Sequence, residues 1–510
     1  MNPRHPVFAG FATFLLVMSL LGQSHSSHDP AKGGNVDLGE ISFPNSGSEA
    51  AQKSFVNGVL LLHSFEYGPA RASFVEAQRI DPAFALAYWG EAMTFDHPIW
   101  PENDRTGALA VLSKLAPTTS ARRDKARTPR EKMYLDAVER LYGDGDTATR
   151  AAAYSSAMQE LSRAYPDDLE AKAFYSLSLL GLTRITRNTE NYMRAAAIAE
   201  TIYEKNPRHP GALHYLIHAY DDPVHAPLGL RAARIYGTVA RSASHAQHMP
   251  SHIFFALGMW EDSIRANTDS MKTARDAGGG GYHALHWLQH GSLQLGKFDD
   301  AARTLAIIED DSKRISSGYN RTHLALCRAT MLVEMQRAEP ASVMIAVDRT
   351  GINSIAPFAN HALAIGLEHV RRKDLAAART ELASLREMGA TGRSAQDAAM
   401  TPTDRYSQVP KSDLDATGVM GMILDAAIDN AAGDREGALE KIVSAAEAED
   451  KLVFEYGPPA IVKPAWEAAG EMYLSSGRKA DSAEAFRKAL KRYPNRRLSN
   501  EGLARASNSK

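Results

Sequence analysis

A chain of 510 residues with 44% apolar and 23% charged residues has ample material for a core, which excludes a chain disordered throughout. Its formal net charge of -2 gives no case for a nucleic-acid partner. One cysteine, Cys327, excludes an internal disulfide and any thiolate metal cluster, so stability must come from packing or ligands.

The N-terminus has the layout of an export signal. Arg4 and His5 precede an apolar stretch from Phe8 to Leu21, and Gly22 and Ser24 supply small residues for cleavage. A signal peptide over 1–24 implies an exported, periplasmic protein with no stable membrane span after cleavage, since the apolar run is short for a bilayer. Residues 25–50, rich in Ser, Gly, Asn, Asp and Pro, read as a flexible leader. From 51 to 500 the pattern is helical, punctuated by short Gly, Asp and Pro turns, with no sustained alternation of period two. Stretches near 100–145, 311–320 and 390–412 interrupt it as insertions, and 501–510 reads as a flexible tail.

The helices repeat. One unit reads Phe55, Gly58, Leu61, Ala70, Phe74, Ala77, Pro82; a late one reads Trp466, Gly470, Tyr473, Ala483, Phe486, Ala489, Pro494. Between them, Leu257-Gly258-x-Trp260 and Leu295-Gly296-x-Phe298 open equivalent turns. On these residues the chain resembles the tetratricopeptide repeat family, whose unit is a helix-turn-helix of about 34 residues. The resemblance implies an all-α, right-handed superhelical solenoid of antiparallel helical hairpins, with the first helix of each hairpin facing a concave groove. One hairpin cannot bury its apolar stripe alone; stacked neighbours can.

Eight histidines fall in three groups on consecutive helices: His214 and His218; His245, His248 and His252; His283, His286 and His290. The second and third groups share the spacing i, i+3, i+7, which puts their rings on one helix face. With Gly258 and Gly296 as register marks, the two groups align, and His214 and His218 fit the last two positions of the same set. First helices of adjacent hairpins lie about 10 Å apart, so imidazoles from neighbours can converge. A pair at i, i+4 clasps one ion, and a ring from the next helix supplies a third ligand, leaving a fourth position for water or substrate. Neutral imidazole suits zinc, copper, nickel or iron; the expected cofactor is copper or zinc, one to three ions. Met249, beside His248, slightly favours copper or is core.

Other groups surround this face. His225 lies beyond the Asp221-Asp222-Pro223 helix end, where Asp221 and Asp222 serve as plain caps, as ligands, as outer partners that orient a ring nitrogen, or as a base. Tyr220 offers a phenol. His63 and Glu66, in His63-Ser-Phe-Glu-Tyr-Gly-Pro69, are echoed by Phe454-Glu-Tyr-Gly-Pro458. They reach the central histidines if the superhelix closes, as do His97 and Glu455. The catalytic candidates are therefore Asp222, Glu66 and Tyr220; His63 and His225 join the eight central histidines as candidate ligands. Three functions stay open: a metal-dependent enzyme acting on a small molecule or peptide in the groove, a periplasmic metal carrier or storage protein, and a metal-free scaffold for protein partners.

Overall fold

The computed structural model describes residues 37–100, 102–182, 187–315, 317–398 and 409–508, with backbone alone over 394–398. The expected signal peptide and the first part of the leader lie outside the described residues. The fold is an all-α solenoid of helical hairpins. The only strands among the described residues are the two-residue pair Asp96–His97 and Glu102–Asn103. No helix among the described residues is long and apolar enough to cross a membrane.

The repeated residues explain the hairpins. Helix Glu49–His63 packs on Tyr67–Ile80, and Ala465–Ser475 on Lys479–Arg492. In the first unit the Phe74 ring fills the space over Gly58 and Gly90, where an added Cβ would come within 2.8 and 2.2 Å of it. Phe486 does the same over Gly470 and Gly502, at 2.9 and 2.2 Å. A large ring against two bare backbones locks each hairpin to the next helix, and the removal of either ring would open a cavity in a close-packed core. The turn glycines Gly258 and Gly296 have φ +65° and +68°. That left-handed geometry lets Met259 N donate to Phe254 O and Lys297 N to Ser292 O, which caps the preceding helices.

The stack closes on itself. Near the N-terminus, Leu38 and Phe43 are buried, Glu40 N donates to Arg208 O, and Ser242 N donates to Asp37 O. At the other end Trp260 Nε1 donates to Asn495 O at 3.0 Å, and Arg497 N donates to Gln294 Oε1 at 2.8 Å. Arg496 lies between the buried carboxylates of Glu334 and Glu467, each 2.7 Å from it.

The structure gives the regions outside the regular repeats definite shape. The leader is bound from residue 37 onward: Leu38, Ile41 and Phe43 pack into the core, Phe43 against Phe55, Trp89 and Tyr134. The insertion near 100–145 is largely helical, with helices Arg105–Leu115, Thr119–Lys125 and Pro129–Leu141; the last starts in a capping box between Thr128 and Glu131. The tail begins as helix Arg497–Ser507, whose Leu498, Gly502 and Ala506 are buried against the last repeat. Of the stretch 390–412, the ends belong to helices Leu375–Ala398 and Lys411–Ala432, and 399–408 lie outside the described residues.

Candidate metal centre

The central histidines sit on first helices of consecutive hairpins: Pro210–Ala219, the pair Ser244–His248 and Pro250–Ala256, and Tyr282–Gln294. Pro250 occupies the first turn of its helix, where its missing N–H is no loss. Six rings gather into two triads. One is His214, His218 and His245; the other is His248, His252 and His283, and within each triad the ligand atoms all lie within 4.8 Å of one another. Each triad is an i, i+4 pair closed by one ring from the next helix. His252 also lies 5.9 Å, ring centre to ring centre, from His218, so the triads adjoin.

Hydrogen bonds at the far side of three rings, His252, His248 and His214, fix which of their nitrogens is bare. His252 Nδ1 lies 2.5 Å from Asp221 Oδ2 and donates to that carboxylate. His248 Nδ1 lies 2.7 Å from Asn267 Oδ1. The Asn267 amide is oriented by its Nδ2, which donates to Ser263 O at 2.9 Å, so its Oδ1 must accept and His248 Nδ1 carries the hydrogen. Both Nε2 atoms are then unprotonated in the neutral rings, yet they face each other at 3.1 Å. Two lone pairs at that distance repel unless a cation lies between them. In the other triad His214 Nδ1 donates to His63 O at 2.7 Å, leaving its Nε2 bare and 3.1 Å from His218 Nε2. His245 Nε2 is buried with no partner.

Burial keeps His214, His218, His245, His248 and His283 neutral. It pushes His214 and His248 down to about 3, and holds His218, His245 and His283 well below the usual imidazole range, with neighbouring imidazoles adding to the effect. Neutral imidazole is the form that binds metal, so no proton need leave.

Aromatic walls complete the site. Phe65 has φ +57°, a left-handed geometry that costs a non-glycine residue about 1 kcal/mol or more. The turn places its ring 4.2, 5.8 and 5.6 Å from His214, His218 and His245. The next residue, Glu66, accepts from His245 N at 3.2 Å. The C-terminal echo of this segment serves the other triad: Tyr456 stands 5.7 Å from His252, and Gly457 packs flat on Trp287, whose ring lies 4.7 and 4.6 Å from His248 and His252. An open cleft reaches His245, His248 and His283 and is lined by Glu66, Tyr282 and Tyr319 among others.

The remaining sequence candidates do not join either triad. His63 is wholly buried and satisfied on both sides, with Nε2 2.7 Å from Glu170 and Nδ1 2.8 Å from the Tyr215 hydroxyl. Glu170 also accepts from His209 Nε2 at 3.1 Å, while His209 Nδ1 accepts from Ala212 N; His63, Glu170 and His209 thus form a third group whose ligand atoms lie within 4.8 Å of one another, here joined by hydrogen bonds. Asp222 is a cap: its Oδ1 accepts from the N–H groups of Val224 and His225, and its Oδ2 pairs with Arg187 and His225 Nδ1, each at 2.7 Å. That fastens His225 to the helix start. The Tyr220 hydroxyl turns to Glu200. His290 packs against Phe255 and Trp260, and His286 faces His323. Met249 is wholly buried in the hydrophobic core and favours no metal. His97 bonds Glu102 and stacks on Tyr67, and Glu455 has Asp413 and Arg492 as its charged neighbours.

Sequence reasoning missed Asn267, Glu170, His209 and His323, and left Asp221 without a fixed role. Asn267 sits on a second helix, where nothing in its spacing marks it. His323 extends the histidine array by one hairpin, and its place on the next first helix was the available signal.

No protein-family model matches the sequence, and no curated protein is similar to it. Among solved structures, the chain is similar to the P58(IPK) TPR domain, with 11% identity and TM-score 0.24 over 90% of this chain and 97% of that one. An IFIT1 monomeric mutant with Gppp-AAAA gives 12% and 0.39 over 90% and 99%. Yeast Tom70 gives 11% and 0.36 over 90% and 96%. Likeness at this level concerns the helical-repeat fold alone.

Proposed function

We propose that this chain is an exported metalloprotein that holds two late transition ions, zinc or copper, one in each histidine triad of its closed interior. The observation that carries the reading is the 3.1 Å approach of His248 Nε2 and His252 Nε2, both with their hydrogens committed to Nδ1. A proton on His248 would relieve that contact, but burial holds that ring down to about 3 and so opposes its protonation near neutral pH. A divalent ion relieves it and uses the neutral rings as they stand. Asp221 and Asn267 then act as the outer partners that orient ligating rings. The donor set is all nitrogen, which fits zinc or copper and disfavours magnesium or calcium.

Three protein donors per ion leave a further coordination position, as in catalytic rather than structural zinc sites. The cleft gives a small molecule access to the His245, His248 and His283 edges, and among the described residues Glu66 is the one carboxyl lining it. These features favour a metal-dependent enzyme over a carrier. A bound ion would supply an activated water or a redox centre there; Glu66 would hold or deliver a proton beside His245.

Elemental analysis of the untagged, full-length protein tests the reading. The expected result is two tightly held ions per chain, falling to one in His248→Ala/His252→Ala with the helical circular dichroism unchanged. Absence of metal from a folded native chain would leave a helical scaffold.

A further inference from the structure

Beyond the two triads, the next hairpin carries a histidine whose surroundings are not explained by packing. His323, on helix Gly318–Met335, is 6% exposed, and its Nδ1 is buried with no hydrogen-bond partner. An orphaned buried ring nitrogen costs roughly 1–3 kcal/mol. His286, also 6% exposed, has no hydrogen bond to either nitrogen among the described residues. Their ring centres are 6.0 Å apart, and His283 stands 5.6 Å from His323 on the other side.

These separations suit a shared ion. With nitrogen about 2.1 Å from a metal and about 1.1 Å from its own ring centre, two rings on one ion have centres about 5 Å apart at a tetrahedral angle and about 6.5 Å apart across a straight line. The pairs inside the triads, at 4.8 Å for His214 and His218 and 5.0 Å for His248 and His252, occupy the lower part of that range. His286 and His323 occupy the upper part. Burial pushes His286 down to about 4 and His323 to about 3, so both rings are neutral and ready to bind. Tyr319 sets its ring edge-on to His323 at 4.7 Å and also lines the open cleft, which brings solvent close to the pair.

We propose that His286 and His323 form a third, weaker site for a late transition ion, bordering the His248 triad at its member His283. Two protein ligands hold an ion less firmly than three, so this site fills last and empties first. The proposal rests on the reading that the triads bind metal, and the experiment separates the two. Chelator-stripped, untagged full-length protein is titrated with zinc against a chromophoric competitor. The expected result is two tight equivalents followed by a third at least tenfold weaker, with only the third missing in His323→Phe, which keeps the ring volume, and in His286→Gln. Two equivalents alone in the native chain would overturn the third site and leave the triads standing. A third equivalent that persists in both variants would overturn it as well, and no equivalents at all would overturn both readings. A melting curve accompanies each variant, and if His323→Phe folds poorly, His286→Gln decides.

Discussion

Asn267 Oδ1 accepts from His248 Nδ1 at 2.7 Å while the same amide donates to Ser263 O at 2.9 Å. One neutral side chain on a second helix thereby sets the tautomer of a ring on a first helix. Without that acceptor, His248 is free to carry its hydrogen on Nε2 and to donate it to His252 Nε2, which satisfies the pair with no ion. Asn267→Leu is therefore expected to weaken one of the two tight sites about 10- to 100-fold. Zinc competition measures this; an unchanged affinity would remove Asn267 from the site.

Metal bound in the closed interior would couple to folding, because the unfolded chain scatters its ligands. An ion present at about 100 times its dissociation constant stabilises by about 2.7 kcal/mol. Chelation is expected to lower the melting temperature of the native chain. In His248→Ala/His252→Ala the drop on chelation should shrink, since one triad alone remains. Scanning calorimetry with and without chelator makes the comparison, and equal drops would place the ion elsewhere.

The fold was legible because its chemistry is local and repeated. Phe74 and Phe486 stand at matching places with their glycines, and Gly258 and Gly296 mark the same turn. The triads were legible for the same reason: pairs at i, i+4 and a fixed offset to the next hairpin put three rings together. What spacing does not carry is the closing of the stack. The meeting of Gly457 with Trp287, or of Asn495 with Trp260, joins residues far apart in sequence. Partition between an ion site and a hydrogen-bond network is also invisible there. His63 and His214 look alike in the sequence, yet Glu170 and Tyr215 satisfy the first while the second donates through Nδ1 and keeps Nε2 bare.

Glu170 is fully buried between His63 and His209. Removal of one member of such a buried set leaves the others uncompensated, at a cost of about 3–5 kcal/mol. Glu170→Gln should lower the denaturation midpoint accordingly while the tight metal equivalents stay at their native number, because the contact to His214 comes from the His63 carbonyl and not from its ring. Loss of metal in a folded Glu170→Gln protein would show that this cluster belongs to the site.

Acid should unfold the metal-free protein in two windows. His361 is buried, donates through Nε2 to Val343 O, and is pushed down to about 4 by burial. Between pH 6.5 and 4 the unfolded chain binds a proton there that the folded one does not, so stability falls as pH falls through that range. Burial alone would raise the Glu170 carboxyl, but the two neighbouring histidines outweigh it and hold it at about 2. The stabilisation it gives is whole above pH 4.5 and is lost as pH falls toward 2. Each contributes on the order of 3 kcal/mol at its full shift. Chemical denaturation between pH 7 and 2 is expected to show a steady loss; His214, His248, His286 and His323 are held low by burial as well and titrate in the same upper window, so His361→Phe should lessen its slope by about one proton and leave the lower window unchanged.

Gly457 holds the C-terminal segment against the second triad. Its φ is +87°, and a Cβ there would come within 2.1 Å of the Trp287 ring. That ring cannot yield freely, since it touches both His248 and His252. Gly457→Ala therefore carries two penalties, the left-handed backbone and a collision with a ring that borders the ligands. Gly477 separates them: its φ is +79°, with nothing within 4 Å of an added Cβ. Gly477→Ala should destabilise the fold by about 1–2 kcal/mol through the backbone alone and leave metal release unchanged. Gly457→Ala should destabilise more and also speed release of the ion from the His248 triad, because Tyr456 and the Trp287 face shift together. Stopped-flow transfer of zinc to a chelating dye reads the rate. Faster release in both variants, or in neither, would show that closure over Trp287 does not retain the ion.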